Sequence, residues 1–129
     1  MYMFDTNTVS QLFRQHPRLL AAMGRVPPSS VCISSITQAE LLYGVAKRQN
    51  KALKQTVMMF LDAVTVYSWD SAAAHCYGVM RASMEKQGRP MGALDQLIAA
   101  HAVSRGATIV TSDRAFTMVA ELEVEDWTQ

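Results

Sequence analysis

An α/β fold around a mostly parallel sheet is what this sequence of 129 residues predicts, and three observations predict it. Short apolar runs recur, unbroken at Met1 to Phe4 and Val31-Cys32-Ile33, and interrupted by a single threonine at Val64 to Tyr67 and Ala107 to Val110; runs of this kind suit strands covered on both faces. Segments with helical apolar spacing separate them, and strands alternating with helices imply a parallel sheet. Polar residues follow three of the runs directly: Asp5-Thr6-Asn7, Ser34-Ser35 and Thr111-Ser112-Asp113. Open α/β sheets bind their ligands at that carboxyl edge. The length suits one domain over residues 1–129.

Asp5 and Thr6 can cap a helix from about Asn7 to Gln15, with Val9, Leu12 and Phe13 as its apolar face. His16-Pro17 ends it, since the residue before proline avoids the helical region. Arg18 to Gly24 reads as a second short helix, and Val26 to Ser30 as a connector. After the strand at Val31, a helix opens near Ile36-Thr37, where Thr37 and Glu40 have capping-box spacing. The basic stretch Lys47 to Lys54 leads into a helix through Val57, Phe60 and Leu61. Val64-Thr65-Val66-Tyr67 is β-branched enough for a third strand. Asp70 or Ser71 caps a helix carrying Ala73, Cys76, Tyr77, Met80 and Met84 on one stripe, stopped by Gly88 and Pro90. Gly92 to Asp95 enters the most apolar helix, through Leu97, Ile98 and Val103 to Arg105-Gly106. The fourth strand, Ala107 to Val110, precedes a short helix marked by Phe116, Met118 and Val119. Val124 marks a late edge strand, and Trp127 a terminal anchor.

Composition narrows the function classes. Half of the residues are hydrophobic, which excludes a disordered chain, yet no run approaches the roughly 20 residues of a membrane helix. With no apolar signal core at its start, the chain is expected in the cytoplasm. Cys32 and Cys76 stand apart from each other and from any histidine, as two free thiols would in a reducing compartment. His16, His75 and His101 show no metal-ligand pairing. Twelve Lys and Arg against eleven Asp and Glu give a net charge of +1, so bulk charge does not announce a nucleic-acid binder. Two basic groupings, Lys47, Arg48, Lys51 and Lys54, then Arg81, Lys86 and Arg89, suit solvated helix faces or a phosphodiester backbone.

The acids are the candidate functional residues. Taken singly, each has a structural role available: Asp5 as an N-cap, Glu40 as the capping-box acid, Asp95 as a first-turn residue favoured by the helix dipole, and Asp113 as an Asx-turn residue. Taken together, Asp5, Glu40, Asp95 and Asp113 all lie where strands end or the following helices begin, on one expected sheet edge. Asp95 opens a very apolar helix, where a lone charge is costly to bury. Neighbouring carboxylates repel and resist joint ionisation, and a divalent cation reverses that. An oxygen-only donor set favours Mg²⁺ or Mn²⁺ over zinc. Asp5 and Asp95 are the expected metal ligands, Glu40 and Asp113 complete the catalytic acids, and Thr6, Asn7, Thr111 and Ser112 are the expected supporting residues. The chemistry would be activation of water against a phosphate.

Four motifs in order carry a family resemblance: Phe4-Asp5-Thr6-Asn7; Ser35-Ile36-Thr37 through Glu40 with Tyr43-Gly44; Gly88-Arg89-Pro90-Met91-Gly92 through Asp95-Gln96-Leu97-Ile98-Ala99-Ala100-His101-Ala102; and Ile109-Val110-Thr111 through Asp113 and Phe116. Over essentially its whole length the chain resembles the PIN-domain ribonucleases, specifically the VapC toxins of bacterial VapBC toxin–antitoxin pairs. The resemblance implies a three-layer α/β/α sandwich, a homodimer, and Mg²⁺- or Mn²⁺-dependent cleavage of RNA at Asp5, Glu40, Asp95 and Asp113. It also implies a VapB antitoxin that blocks the site and alone contacts operator DNA. The segment from Gly88 to Ala102 is similar to that of the subgroup acting on initiator tRNA in its anticodon stem-loop, so tRNA is the expected substrate. One departure stands out. Relatives often carry an acid immediately before Phe116, where this chain has Ala115, and often Asn at the place of Asp113.

Two other readings compete. A PIN-type module that binds RNA or antitoxin without catalysis would not need Asp5, Glu40 and Asp95 together. A phosphatase with Asp5 as nucleophile would ordinarily need a second aspartate at position 7 and a phosphate-binding lysine. Position 7 is Asn, and no lysine lies near the strand ends.

Overall fold

The computed structural model describes all residues 1–129. Its strands are β1 (Tyr2–Phe4), β2 (Val31–Ser34), β3 (Thr65–Tyr67), β4 (Thr108–Val110) and β5 (Val124–Glu125). The helices are α1 (Thr6–Phe13), α2 (Pro17–Met23), α3 (Ser35–Arg48), α4 (Lys51–Ala63), α5 (Ser71–Lys86) and α6 (Ala93–Arg105), with 3₁₀ turns at Pro28–Ser30 and Arg114–Met118. The strands form one sheet in the order β3-β2-β1-β4-β5, and every pairing is parallel.

Side-chain parity along the strands builds the layers, because successive residues point to opposite faces. Met3, Cys32 and Ile109 join Met84, Ile98, Ala99, Ala102 and Phe116 in one core, under α5 and α6. Phe4, Val31, Ile33 and Val110 join Val9, Leu19, Leu41, Val57 and Trp127 in the other, under α1 to α4. The result is the expected α/β/α sandwich. It explains the unbroken apolar runs: Met3, Phe4 and Ile33 are fully buried whichever way they point.

Boundaries follow local chemistry. Asp5 alone caps α1, which stops at Phe13, and Gln15 takes a left-handed φ of 59°. His16 caps α2, its Nδ1 accepting the Leu19 N–H at 3.4 Å. Gly106 closes α6 with φ 64°, a conformation that favours glycine. The last short helix is 3₁₀ rather than α. Cys32 and Cys76 are free, and burial pushes the Cys32 thiol up to about 11.

One expectation needs correction. Thr37 does not cap α3, and Glu40 is not its capping-box partner. The Ser34 hydroxyl accepts the Ile36 N–H at 3.1 Å, so α3 begins at Ser35. Thr37 is thereby carried inside the helix and fully buried. The serine ending β2 is already at the turn from strand to helix, and it pre-empts the threonine.

Trp127 is the anchor expected. Its ring lies 5.0 Å from Tyr2 and 5.5 Å edge-on from Phe4, and its Nε1–H donates to Glu125 at 2.9 Å. Trp127→Ala is expected to lower the unfolding free energy by about 3 kcal/mol, read from urea midpoints. An unchanged midpoint would remove the tail from the core.

Candidate metal centre at the sheet's carboxyl edge

β1 is where the sheet changes direction. From it the chain winds outward through β2 to β3, and later returns to β1's other side with β4. Such a switch point opens a crevice at the carboxyl ends of the two central strands. β1 and β4 run in register, Phe4 beside Val110, so Asp5 and Thr111 leave the sheet side by side.

Asp5 is only 2% exposed and is held at both oxygens. One accepts the Thr8 N–H at 2.9 Å, and the other accepts the Thr111 hydroxyl at 2.6 Å. Its capping role is therefore real and coexists with its place at the strand end. Thr111 Oγ1 also accepts the Asp113 N–H at 3.0 Å, and Asp113 in turn accepts the Ala115 N–H at 2.9 Å. Asp113 is thus the expected turn residue, and it caps the backbone of the residue standing where relatives often carry an acid.

Glu40 comes from the second turn of α3, where the Thr6 hydroxyl donates to it at 2.5 Å. Asp95 comes from the first turn of α6 and lies back over Gly92. A side-chain carbon built at Gly92 would sit 3.5 Å from its Oδ2. Partial burial, then the charges of Asp113, Asp5 and Glu40, push the Asp95 carboxyl up to about 6. Asp95 therefore feels the three other acids, each brought from a different part of the chain. Ser112 and Asn7 are exposed; Ser112 accepts a long 3.5 Å contact from Gln11 Nε2, a residue the sequence reading did not single out.

No three Asp, Glu, His or Cys side chains converge into a preformed metal cage. Yet none of the four acids has a basic partner, since the one ion pair of the molecule joins Arg81 to Glu85 on α5. Clustered oxygen donors without a basic partner fit a hard divalent cation.

The remaining candidates lie elsewhere. His16 is a cap, His75 is exposed on α5, and His101 is buried in α6. Lys47 lies 5.8 Å over the Tyr43 ring, and Arg81 is committed to Glu85 and Tyr77. Lys47, Arg48, Lys51, Lys54, Arg81 and Lys86 thus occupy exposed helix faces, while Arg89 follows α5 and donates to the Met118 carbonyl at 3.0 Å. Two concavities, of about 470 Å³ beside Arg18, Arg25 and Trp127 and about 320 Å³ beside Cys76, Met80 and Met118, do not include the acids.

The chain is similar in sequence and fold to known proteins. The PIN domain family matches residues 2–122. A tRNA(fMet)-specific endonuclease VapC from Shigella flexneri is 39% identical over 128 residues, covering 98% of this chain and 97% of that protein. Its namesake from Salmonella typhimurium is 36% identical over the same shares of each chain. Among solved structures, DNA-bound VapBC from Salmonella typhimurium superposes with a TM-score of 0.91 at 36% identity, covering 98% of this chain and 97% of that one. VapBC2 from Rickettsia felis, bound to a DNA fragment from its promoter, gives 0.87 at 31% identity, with 98% of each chain covered.

Proposed function

From the premise that the chain belongs to the PIN-domain family, among its VapC toxin ribonucleases, we propose that it cleaves initiator tRNA in the anticodon stem-loop, using Mg²⁺ held by Asp5 and Asp95. Mn²⁺ is the expected substitute. The observation that carries this reading is the meeting of Asp5, Glu40, Asp95 and Asp113 at the switch-point edge with no basic partner. The tRNA assignment rests on the two relatives named for tRNA(fMet).

A bound divalent cation supplies positive charge to the phosphodiester and lowers the pKa of water. The chain's own residues do the rest. Thr111 and the Thr8 N–H fix the Asp5 carboxylate in one orientation. Thr6 holds Glu40 towards the start of α1, where it can orient the attacking water. Thr111 also ties the Asp113 loop to Asp5, so that both acids move as one unit. Asn7 and Ser112, exposed at the same edge, would meet phosphate oxygens in this reading.

The partners in this reading are a cognate VapB antitoxin, as in the VapBC neighbours, and a second copy of the chain. Operator DNA is contacted through the antitoxin. An antitoxin arginine entering the acid cluster would stand in for the cation's charge. No helix is long and apolar enough to cross a membrane, and the proposed compartment is the cytoplasm, where the substrate is.

The test is cleavage of purified initiator tRNA beside an elongator tRNA, with Mg²⁺, Mn²⁺ or EDTA. We expect one tRNA to be cut, only with metal, and cutting to stop when cognate antitoxin is added. Cutting of both tRNAs would discard the narrow substrate. Absence of cutting by folded, antitoxin-free protein would favour the non-catalytic binding module.

A further inference from the structure

We propose that His101 is a positioning residue: through Ser34 it fixes the start of α3 against α6, and so sets Glu40 against Asp95. The proposal rests on the ribonuclease reading above.

His101 lies in the third turn of α6, two turns beyond Asp95, and is completely buried. Its Nδ1 is 2.7 Å from Ser34 Oγ, which is equally buried. The same oxygen accepts the Ile36 N–H and caps α3. Ser34 therefore joins three elements through one atom: it ends β2, starts α3 and touches α6. Ser34 Oγ keeps its own proton and a second acceptor site beyond the Ile36 bond, so it pairs with His101 Nδ1 in either imidazole tautomer.

Nε2 has no partner although it is buried. A core chosen for stability alone would carry an apolar residue here, since a buried unpaired polar atom is unfavourable. The tether to Ser34 is the gain that the imidazole brings in exchange. A second polar route runs beside it. The Trp69 N–H donates to Ser35 Oγ at 3.0 Å, and the Trp69 indole donates to the Leu97 carbonyl at 2.9 Å. The start of α3 is thus tied to α6 twice by hydrogen bonds.

Glu40 is six residues beyond Ser34, about 9 Å along the helix axis. A tilt of roughly 6° at the start of α3 therefore moves its backbone by about 1 Å. Displacements of that size at a reacting centre slow catalysis by up to about 10²-fold. With the Trp69 route intact, loss of the histidine alone is expected to lower kcat by about 10-fold.

The experiment compares wild type, His101→Leu, His101→Asn, Ser34→Ala and the Ser34→Ala/His101→Leu double variant. Each is assayed on tRNA at saturating Mg²⁺ and melted without metal. His101→Leu is expected to lose about 10-fold in kcat with KM within about 2-fold, while its Tm stays within a few degrees of wild type, removal of the unpaired Nε2 offsetting the partner that the buried Ser34 hydroxyl loses. His101→Asn, which keeps a polar group at the δ position, is expected to recover most of the rate. Ser34→Ala should reproduce the loss, and the double variant should be no slower than the worse single one. Wild-type kcat in His101→Leu, a loss confined to KM, or additive losses in the double variant would overturn the proposal. Should His101→Leu fail to fold, an unchanged kcat in Ser34→Ala would overturn it equally. A wild type that does not cut with metal would overturn the ribonuclease reading instead, and this proposal with it.

Discussion

Asp95→Asn is expected to lower metal-dependent cleavage on the order of 10²- to 10³-fold, the scale of losing one electrostatic stabiliser, while making the metal-free protein more stable at pH 7.5. The two effects share a cause. Partial burial and three neighbouring acids hold the Asp95 carboxyl at about 6, above its ordinary value of 3.8. A group whose folded pKa is raised contributes stability that is fully present below the unfolded value, and loses it as pH rises through the folded one. The ionised Asp95 therefore weakens the metal-free fold above about pH 6. Allowing for solvent at a partly exposed carboxylate, replacing it by Asn should add about 1 to 2 kcal/mol at pH 7.5. Near pH 4 the difference should shrink towards zero. Mg²⁺ should reverse the order, because ligand binding to the folded state adds about 2.7 kcal/mol at 100-fold excess over Kd, and the variant binds it less well. Urea unfolding at both pH values, with and without Mg²⁺, measures all of this. An Asn variant less stable than wild type at pH 7.5 would mean that Asp95 is not strained by its neighbours.

What could be read in the sequence and what could not divide along the range of the interactions. The apolar runs at Tyr2 and Ala107 foretold strands buried on both faces, and Met3, Phe4, Ile109 and Val110 are so buried. The glycine stops were local too: Gly88 and Gly106 both take a left-handed φ of 64°. Asp5 and Asp113 announced themselves because their caps reach only two or three residues along the chain. Glu40 was read less well. Ser34, Ser35 and Thr37 are all capping residue types, and the strand end decided among them. The real partner of Glu40, Thr6, is 34 positions away. His101 is the extreme case, with its partner Ser34 67 positions distant. Its imidazole had no visible use in a helix that reads as apolar throughout. Strand order was equally hidden, since nothing in the Ala107 run says on which side of β1 it inserts.

Asp5 gives the opposite stability sign for the same catalytic loss. Asp5→Ala is expected to abolish metal-dependent cleavage, by about 10³-fold or more, and to destabilise the protein by about 2 to 4 kcal/mol. The stability effect has two parts. The Thr8 N–H loses its cap, and the buried Thr111 hydroxyl loses its acceptor while still accepting from the Asp113 N–H. Asp5→Asn separates charge from scaffold. Its carbonyl can still accept from Thr8, but its amide meets Thr111, so stability should fall by only about 1 kcal/mol. Cleavage should be lost all the same, because a neutral amide holds a divalent cation poorly. Urea midpoints and cleavage rates on both variants test the two parts independently. Near-wild-type, metal-dependent cutting by Asp5→Asn would strike Asp5 from the cation's ligands, and full stability in Asp5→Ala would strike it from the scaffold. If both expectations hold, the edge contains one carboxylate that the fold needs and one, Asp95, that the metal-free fold resists. Stability alone would keep only the first, so the presence of both is an argument for a cation at this site.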